Sequence, residues 1–171
     1  MTKAEVDGRR ILVRENERRS RWFLGDLVEV IATGKQTEGR FAFFYAHARP
    51  SGQPPLHEHD DDDECFFILE GEVTFWAADF TATLGPGDFI LLPRHVPHTY
   101  QVSPDTEARW LAILAPSGFE DFVEELSVPA RSRTLPPADM PPLPQFEERL
   151  QAAAAKQHIT LLGPPGALPG S

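Results

Sequence analysis

From Leu27 to about Ala115 the chain alternates short apolar stretches with turn signals. LVEVIA (27–32) ends near Gly34. RFAFFYAHA (40–48) sets Phe41, Phe43 and Tyr45 on one face and Ala42, Phe44 and Ala46 on the other. That is the two-residue period of a strand. ECFFILE (64–70) runs into Gly71, and EVTFW (72–76) with DFTAT (79–83) reads as a hairpin. FILL (89–92), HTYQV (98–102) and RWLAILA (109–115) follow. Eight or so strands at roughly ten-residue spacing, punctuated by Gly and Pro, predict an all-β sandwich or barrel.

After the last strand the period changes. Ser117-Gly118-Phe119-Glu120 has the form of a capping box. Phe119, Phe122, Val123 and Leu126 follow at helical spacing, predicting a short helix packed on the barrel. Residues 129–144 are Pro-rich and predict an extended, wrapping segment. QFEERLQAAAAKQH (145–158) predicts a second helix, with Phe146, Leu150 and Ala153 or Ala154 along one stripe. The chain then divides into a charged arm (1–21), a barrel with its following helix (22–126), and a C-terminal part (127–171) that packs on the barrel or on a partner subunit. The arm is expected to be solvated, with a short strand at Ile11, Leu12 and Val13.

Composition narrows the function classes. The net charge of −10 over 171 residues argues against a nucleic-acid partner and an anionic membrane surface. Cys65 is the single cysteine, which excludes an intrachain disulfide and a Cys-based zinc site. No stretch approaches the ~20 apolar residues of a spanning helix. The N-terminal residues contain no apolar signal region. The expectation is a soluble, cytoplasmic protein.

The candidate chemistry centres on His57-Glu58-His59. Two histidines at i and i+2 of an extended segment share a face. Glu64 follows, and His98 lies 41 residues after His57. Three neutral imidazoles and a carboxylate suit a divalent transition metal and leave positions for water, substrate or O2. The carboxylate also offers a proton acceptor beside the metal.

These residues resemble the cupins. The first motif of that family, HxH followed by Glu and then Gly, is matched by His57, His59, Glu64 and Gly71. The second, Gly then Pro then His, is matched by Gly87, Pro93 and His98. The two motifs are separated by 15 residues. The resemblance implies a double-stranded β-helix, or jelly-roll barrel, with short C-terminal helices. More closely, Gly25-Asp26-Leu27, the GKQTEGRFAFF run and PGDFILLPRHVPHTY are similar to the bacterial single-cupin quercetin 2,3-dioxygenases. That likeness implies His57, His59, Glu64 and His98 as ligands of one divalent metal, with Mn, Fe, Co, Ni, Cu and Zn all open. It implies Glu64 as the catalytic base, a small apolar or aromatic substrate with O2, and cleavage of a flavonol or similar enolic compound. It also implies a homodimer, with the N-terminal edge strands and the Pro-rich arm expected at the interface. Two other readings stand beside it. One is a non-catalytic cupin that binds or senses a small ligand. The other is a cupin isomerase or lyase, which needs a second acid/base pair drawn from Tyr45, His47 or His95.

Other positions are read more plainly. His95, where the second motif usually has Gly, is expected to be a turn residue at the rim. Asp60, Asp61, Asp62 and Asp63 read as a solvated loop that disfavours anionic substrates. His47 is expected to be structural or pocket-lining, and His158 to meet a helix dipole. Cys65 is expected in the core, as are Phe66, Phe75, Trp76, Phe89, Tyr100 and Trp110, some of which reach the mouth.

Overall fold

A computed structural model describes residues 10–170. Twelve strands are found among them: β1 (Arg19–Phe23), β2 (Asp26–Ala32), β3 (Ala42–Ala48), β4 (Pro55–His59), β5 (Asp63–Glu70), β6 (Val73–Ala77), β7 (Phe80–Leu84), β8 (Phe89–Leu92), β9 (His98–Val102), β10 (Ala108–Ala115), β11 (Ser127–Pro129) and β12 (Ile159–Pro165). A single helical turn α1 (Gly34–Thr37) and two helices, α2 (Phe119–Glu125) and α3 (Phe146–Lys156), complete the elements used below. One antiparallel sheet has the order β11-β1-β2-β3-β10-β5-β8, the other β12-β4-β9-β6-β7. The fold is all-β, as expected. None of the described helices is long and apolar enough to cross a membrane.

The core lies between the sheets. Phe44, Phe66, Ile68, Trp110 and Leu114 enter it from one sheet, and Val73, Phe75, Leu84 and Val102 from the other. Alternation places them there. In β3, Ala42, Phe44 and Ala46 are buried while Phe43 and Tyr45 face outward. In β5, Glu64, Phe66 and Ile68 point inward, so Cys65, Phe67 and Leu69 point out. Cys65 is therefore not a core residue. It lies on the outer face between Ile113 and Leu91, its register partners on β10 and β8. Phe89, 59% exposed, belongs to the same face. Period two also assigned it to the core side wrongly, because both faces of these strands are apolar and alternation alone does not say which one is covered.

Gly71 turns the chain between β5 and β6 at φ 76°. A Cβ there would come within 2.2 Å of the Glu107 carbonyl oxygen. Both the left-handed backbone and the close approach require glycine, which gives a physical reason for the Gly that closes the first motif.

The flanks differ more from expectation. Residues 1–9 of the charged arm lie outside the described residues. Ile11, Leu12 and Val13 are irregular, and the first strand is Arg19–Phe23 instead. The helix after the barrel is capped by Gly118 at φ 151°, not by Ser117. Glu120 uses its two oxygens on the Gly118 and Gly34 amides (2.9 and 2.6 Å), so it ties α2 to α1 rather than closing a capping box. The second helix has Leu150, Ala153 and Ala154 buried, the expected stripe.

The Pro-rich arm packs on its own barrel. The Trp22 indole donates to the Thr134 carbonyl (2.8 Å). Arg133 donates to both oxygens of Glu29 (2.6 and 2.8 Å). Glu29 is fully buried and also accepts from Ser20 (2.7 Å) and Arg18 (3.4 Å). Burial would raise its carboxyl, but Arg133, Ser20 and Arg18 outweigh it and hold the group below the usual range. Glu29→Ala leaves these donors without their acceptor and is expected to cost about 1–3 kcal/mol, read as a lower denaturation midpoint. Because the folded-state value is depressed, the stabilisation is present above the unfolded value and is lost as pH falls through the folded one.

Candidate metal centre

His57, His59, Glu64 and His98 converge between the sheets. Each presents one ligand atom, and these atoms all lie within 4.8 Å of one another. Two neighbouring strands of one sheet supply the imidazoles, since His57 on β4 faces His98 on β9 in register. Glu64 comes from β5 of the opposite sheet. The cluster therefore exists only when the two sheets close over each other.

The imidazoles of His57 and His98 are held by their Nδ1. That of His57 donates to the Pro55 carbonyl and that of His98 to the Val96 carbonyl, each at 2.8 Å. That of His59 lies 2.9 Å from Asp62 Oδ2. Anchoring Nδ1–H selects the tautomer with a bare Nε2, the form a metal ligand needs. Both ring nitrogens of His59 are buried and neither makes a hydrogen bond among the described residues, the Asp62 carboxylate facing Nδ1 as a charge without hydrogen-bond geometry. A buried polar atom left open in this way fits a bound cation, and the donor set fits a divalent transition metal.

The charges of His57 and Glu64 agree with this. Burial, with His98 and His59 adding, pushes the His57 imidazole down to about 3, so it is neutral. Burial would raise Glu64, but His98, whose Nε2 lies 3.3 Å from it, and the surrounding imidazoles bring it below the glutamate range. Burial would likewise lower His59, but Asp62 and Glu64 reverse the sign and raise it.

The aspartate run does not behave as one solvated loop. Asp62 is buried against His59. Asp63 takes the Arg94 guanidinium at 3.0 Å and Asp61 pairs with His158 at 2.6 Å. Only Asp60 is loosely held, 3.8 Å from His95. His158 thus meets Asp61 rather than the dipole of α3. It leads into β12, which pairs with β4 so that Ile159 lies opposite His59 and Leu161 opposite His57. The C-terminal segment is an edge strand of the sheet that carries the three imidazoles.

His95 is a turn residue, with φ 63°. That left-handed conformation accounts for glycine being usual at the position. Its amide donates to the His59 carbonyl at 2.8 Å, so the turn braces the site through backbone.

A cavity of about 840 Å³ opens on His57 and Glu64. Phe66, Tyr100, Trp110 and Phe119 line it, and the Pro-rich arm with α3 and β12 closes one side. Tyr45, His47 and His95 do not line it. His47 is buried outside the cavity and bonds Glu107 at 2.7 Å, and Tyr45 lies under Arg18. The acid/base pair that an isomerase reading would draw from these three is therefore not in the cavity. The ionisable groups in the wall beyond the cluster include Asp26 and Tyr100. Sequence reading gave Asp26 no role and placed Tyr100 among the core aromatics. The one signal for Asp26 was a carboxylate at the head of an apolar strand.

The model of the cupin domain family matches residues 44–114, a span that contains the whole cluster. The chain carries a cupin domain. It resembles quercetin 2,3-dioxygenases. That of Bacillus subtilis (strain 168) is 29% identical over 131 residues, 76% of this chain and 39% of the relative. That of Aspergillus japonicus is 34% identical over 87 residues, 47% of this chain and 24% of the relative. The matched part is thus well under half the length of either curated relative. Among solved structures, an RmlC-like cupin from Shewanella frigidimarina superposes with a TM-score of 0.56 at 18% identity, covering 66% of this cupin and 95% of that chain, a likeness of fold alone. Asp26 and β12 of this cupin lie outside the family match.

Proposed function

We propose that this cupin is a metal-dependent dioxygenase of the quercetin 2,3-dioxygenase type, which uses O2 to cleave a flavonol or similar enolic substrate. The observation that carries this reading is the continuity of cavity and cluster. A space of about 840 Å³, walled by aromatic side chains, ends on a carboxylate and an imidazole of the metal cluster. That size is typical of small-molecule sites. The names of the two curated relatives support the same reading.

His57, His59, Glu64 and His98 would hold the metal. Bound there, it would supply a Lewis-acidic centre for the substrate's enolate oxygen. The protein's own groups do the rest. Glu64, ionised at neutral pH, takes the proton of the substrate hydroxyl. Phe66, Trp110 and Phe119 flank a planar ring system and exclude water. A His/Glu donor set accepts Mn, Fe, Co, Ni, Cu or Zn, so the test must run each of them. Apoprotein reconstituted anaerobically with each metal and then given quercetin and a flavonol panel should consume O2 and release carbon monoxide with at least one metal. Absence of uptake with all of them overturns the reading.

A further inference from the structure

The cavity has a second polar region. Asp26 stands in its wall at the start of β2. β2 is three strands from β5 in the larger sheet, through β3 and β10. At the usual strand spacing Asp26 is roughly 14 Å from the Glu64 strand. Tyr100 lines the same cavity between them, on the face of β9 that carries His98 and about 7 Å along from it.

Both groups have an unused hydrogen-bonding position. Asp26 Oδ1 accepts the Arg49 amide at 3.1 Å. Its Oδ2 has no hydrogen-bond partner among the described residues and lies toward Gly52, where a Cβ would sit 3.8 Å from it. The Arg49 guanidinium does not pair with it, because Nε and Nη2 both donate to the Gly25 carbonyl (2.8 and 2.5 Å). Burial pushes the Asp26 carboxyl up to about 7, against the pull of Arg49. Asp26 Oδ2 thus stands in the cavity wall with no ion pair and is open to a polar group of a ligand. The Tyr100 ring is fixed by Phe66, Phe75 and Trp110, at centroid distances of 5.7, 5.7 and 5.4 Å. Its hydroxyl has no protein partner among the described residues, although the ring is clamped on several sides.

We propose that Asp26 and Tyr100 together bind a hydroxyl group of the ligand and so select phenolic aromatics over plain ones. The ligand hydroxyl donates to Asp26 Oδ2, and the Tyr100 hydroxyl donates to the ligand oxygen. The proposal rests on the reading that the cavity takes a flat aromatic ligand, and it makes hydroxylation of the part away from the metal the specificity determinant. Asp26→Asn is an informative variant. The Arg49 amide holds the side-chain oxygen at the Oδ1 position, so the NH2 replaces Oδ2 and turns an acceptor into a donor.

The test is calorimetric titration of the metal-loaded protein with para-ethylphenol and with ethylbenzene. A site built to hydrogen-bond a hydroxyl should favour the phenol about tenfold. Asp26→Asn and Tyr100→Phe should each reduce that ratio to about threefold or less, and the double variant should abolish it. Ethylbenzene affinity and metal content should stay as in the wild type, which also reports that the cavity is folded. Equal affinity for the two ligands in the wild type, or a preference that survives in the double variant, overturns the proposal. Failure of the dioxygenase reading would look different: no flavonol would be turned over, yet the phenol preference and its loss in the variants would stand.

Discussion

Glu64→Gln is expected to lower turnover of an enolic substrate by about 10²–10⁴-fold while metal content falls by about tenfold at most. The two parts separate because Glu64 has two tasks. Its Oε2 lies 3.3 Å from His98 and 3.8 Å from His59 at the centre of the donor set. A glutamine keeps an oxygen at that place, so a donor remains for the cation. What it lacks is basicity. In the wild type the imidazoles hold the carboxyl ionised despite its burial, which is the state a proton acceptor needs. Oxygen uptake read beside metal content by plasma mass spectrometry decides the matter. Undiminished uptake in the variant removes Glu64 from the base role. Loss of metal in proportion to activity reduces Glu64 to a ligand.

The barrel was legible because its strands obey one rule. HTYQV (98–102) and FILL (89–92) coincide with β9 and β8, and the hairpin of β6 and β7 is found as expected. The clustering of His57, His59, Glu64 and His98 was legible for the same reason. HxH alternates onto one face, and the motif spacing brings Glu64 and His98 to facing strands. What alternation does not encode is which apolar face the rest of the chain covers, hence the misplaced Cys65 and Phe89. Nor does it encode pairings made at long range with weak local patterns. β1, β11 and β12 are short or Pro-containing, and they become strands because a neighbour offers an edge: β2 to β1, β1 to β11, and β4 to β12. The Asp60–Asp63 run shows the same limit at the scale of single side chains. Four identical residues acquire four different partners, and only the folded loop distinguishes them.

That distinction carries the second large effect, which falls on Asp62. Asp62→Ala is expected to weaken metal binding by about 10–100-fold, although Asp62 is not one of the four clustered residues. Of the three imidazoles, two are oriented by backbone carbonyls that no substitution removes. His59 alone has a side chain at its Nδ1, the Asp62 carboxylate at 2.9 Å, which faces it as a charge without hydrogen-bond geometry. Without that carboxylate the ring is free to rotate and to exchange tautomers, so a bare Nε2 is no longer preset. The lost negative charge also makes the buried imidazole a poorer donor. Asp60→Ala is the control, since Asp60 is half-buried on the same loop and its carboxylate is held only loosely, 3.8 Å from His95. It is expected to change affinity by about twofold or less, in line with the small worth of loosely held surface pairs. Chelator competition with the metal-depleted protein measures both variants. Equal affinities for the two would mean that β4, braced by β12 and the His95 amide, holds the His59 ring without help from the carboxylate.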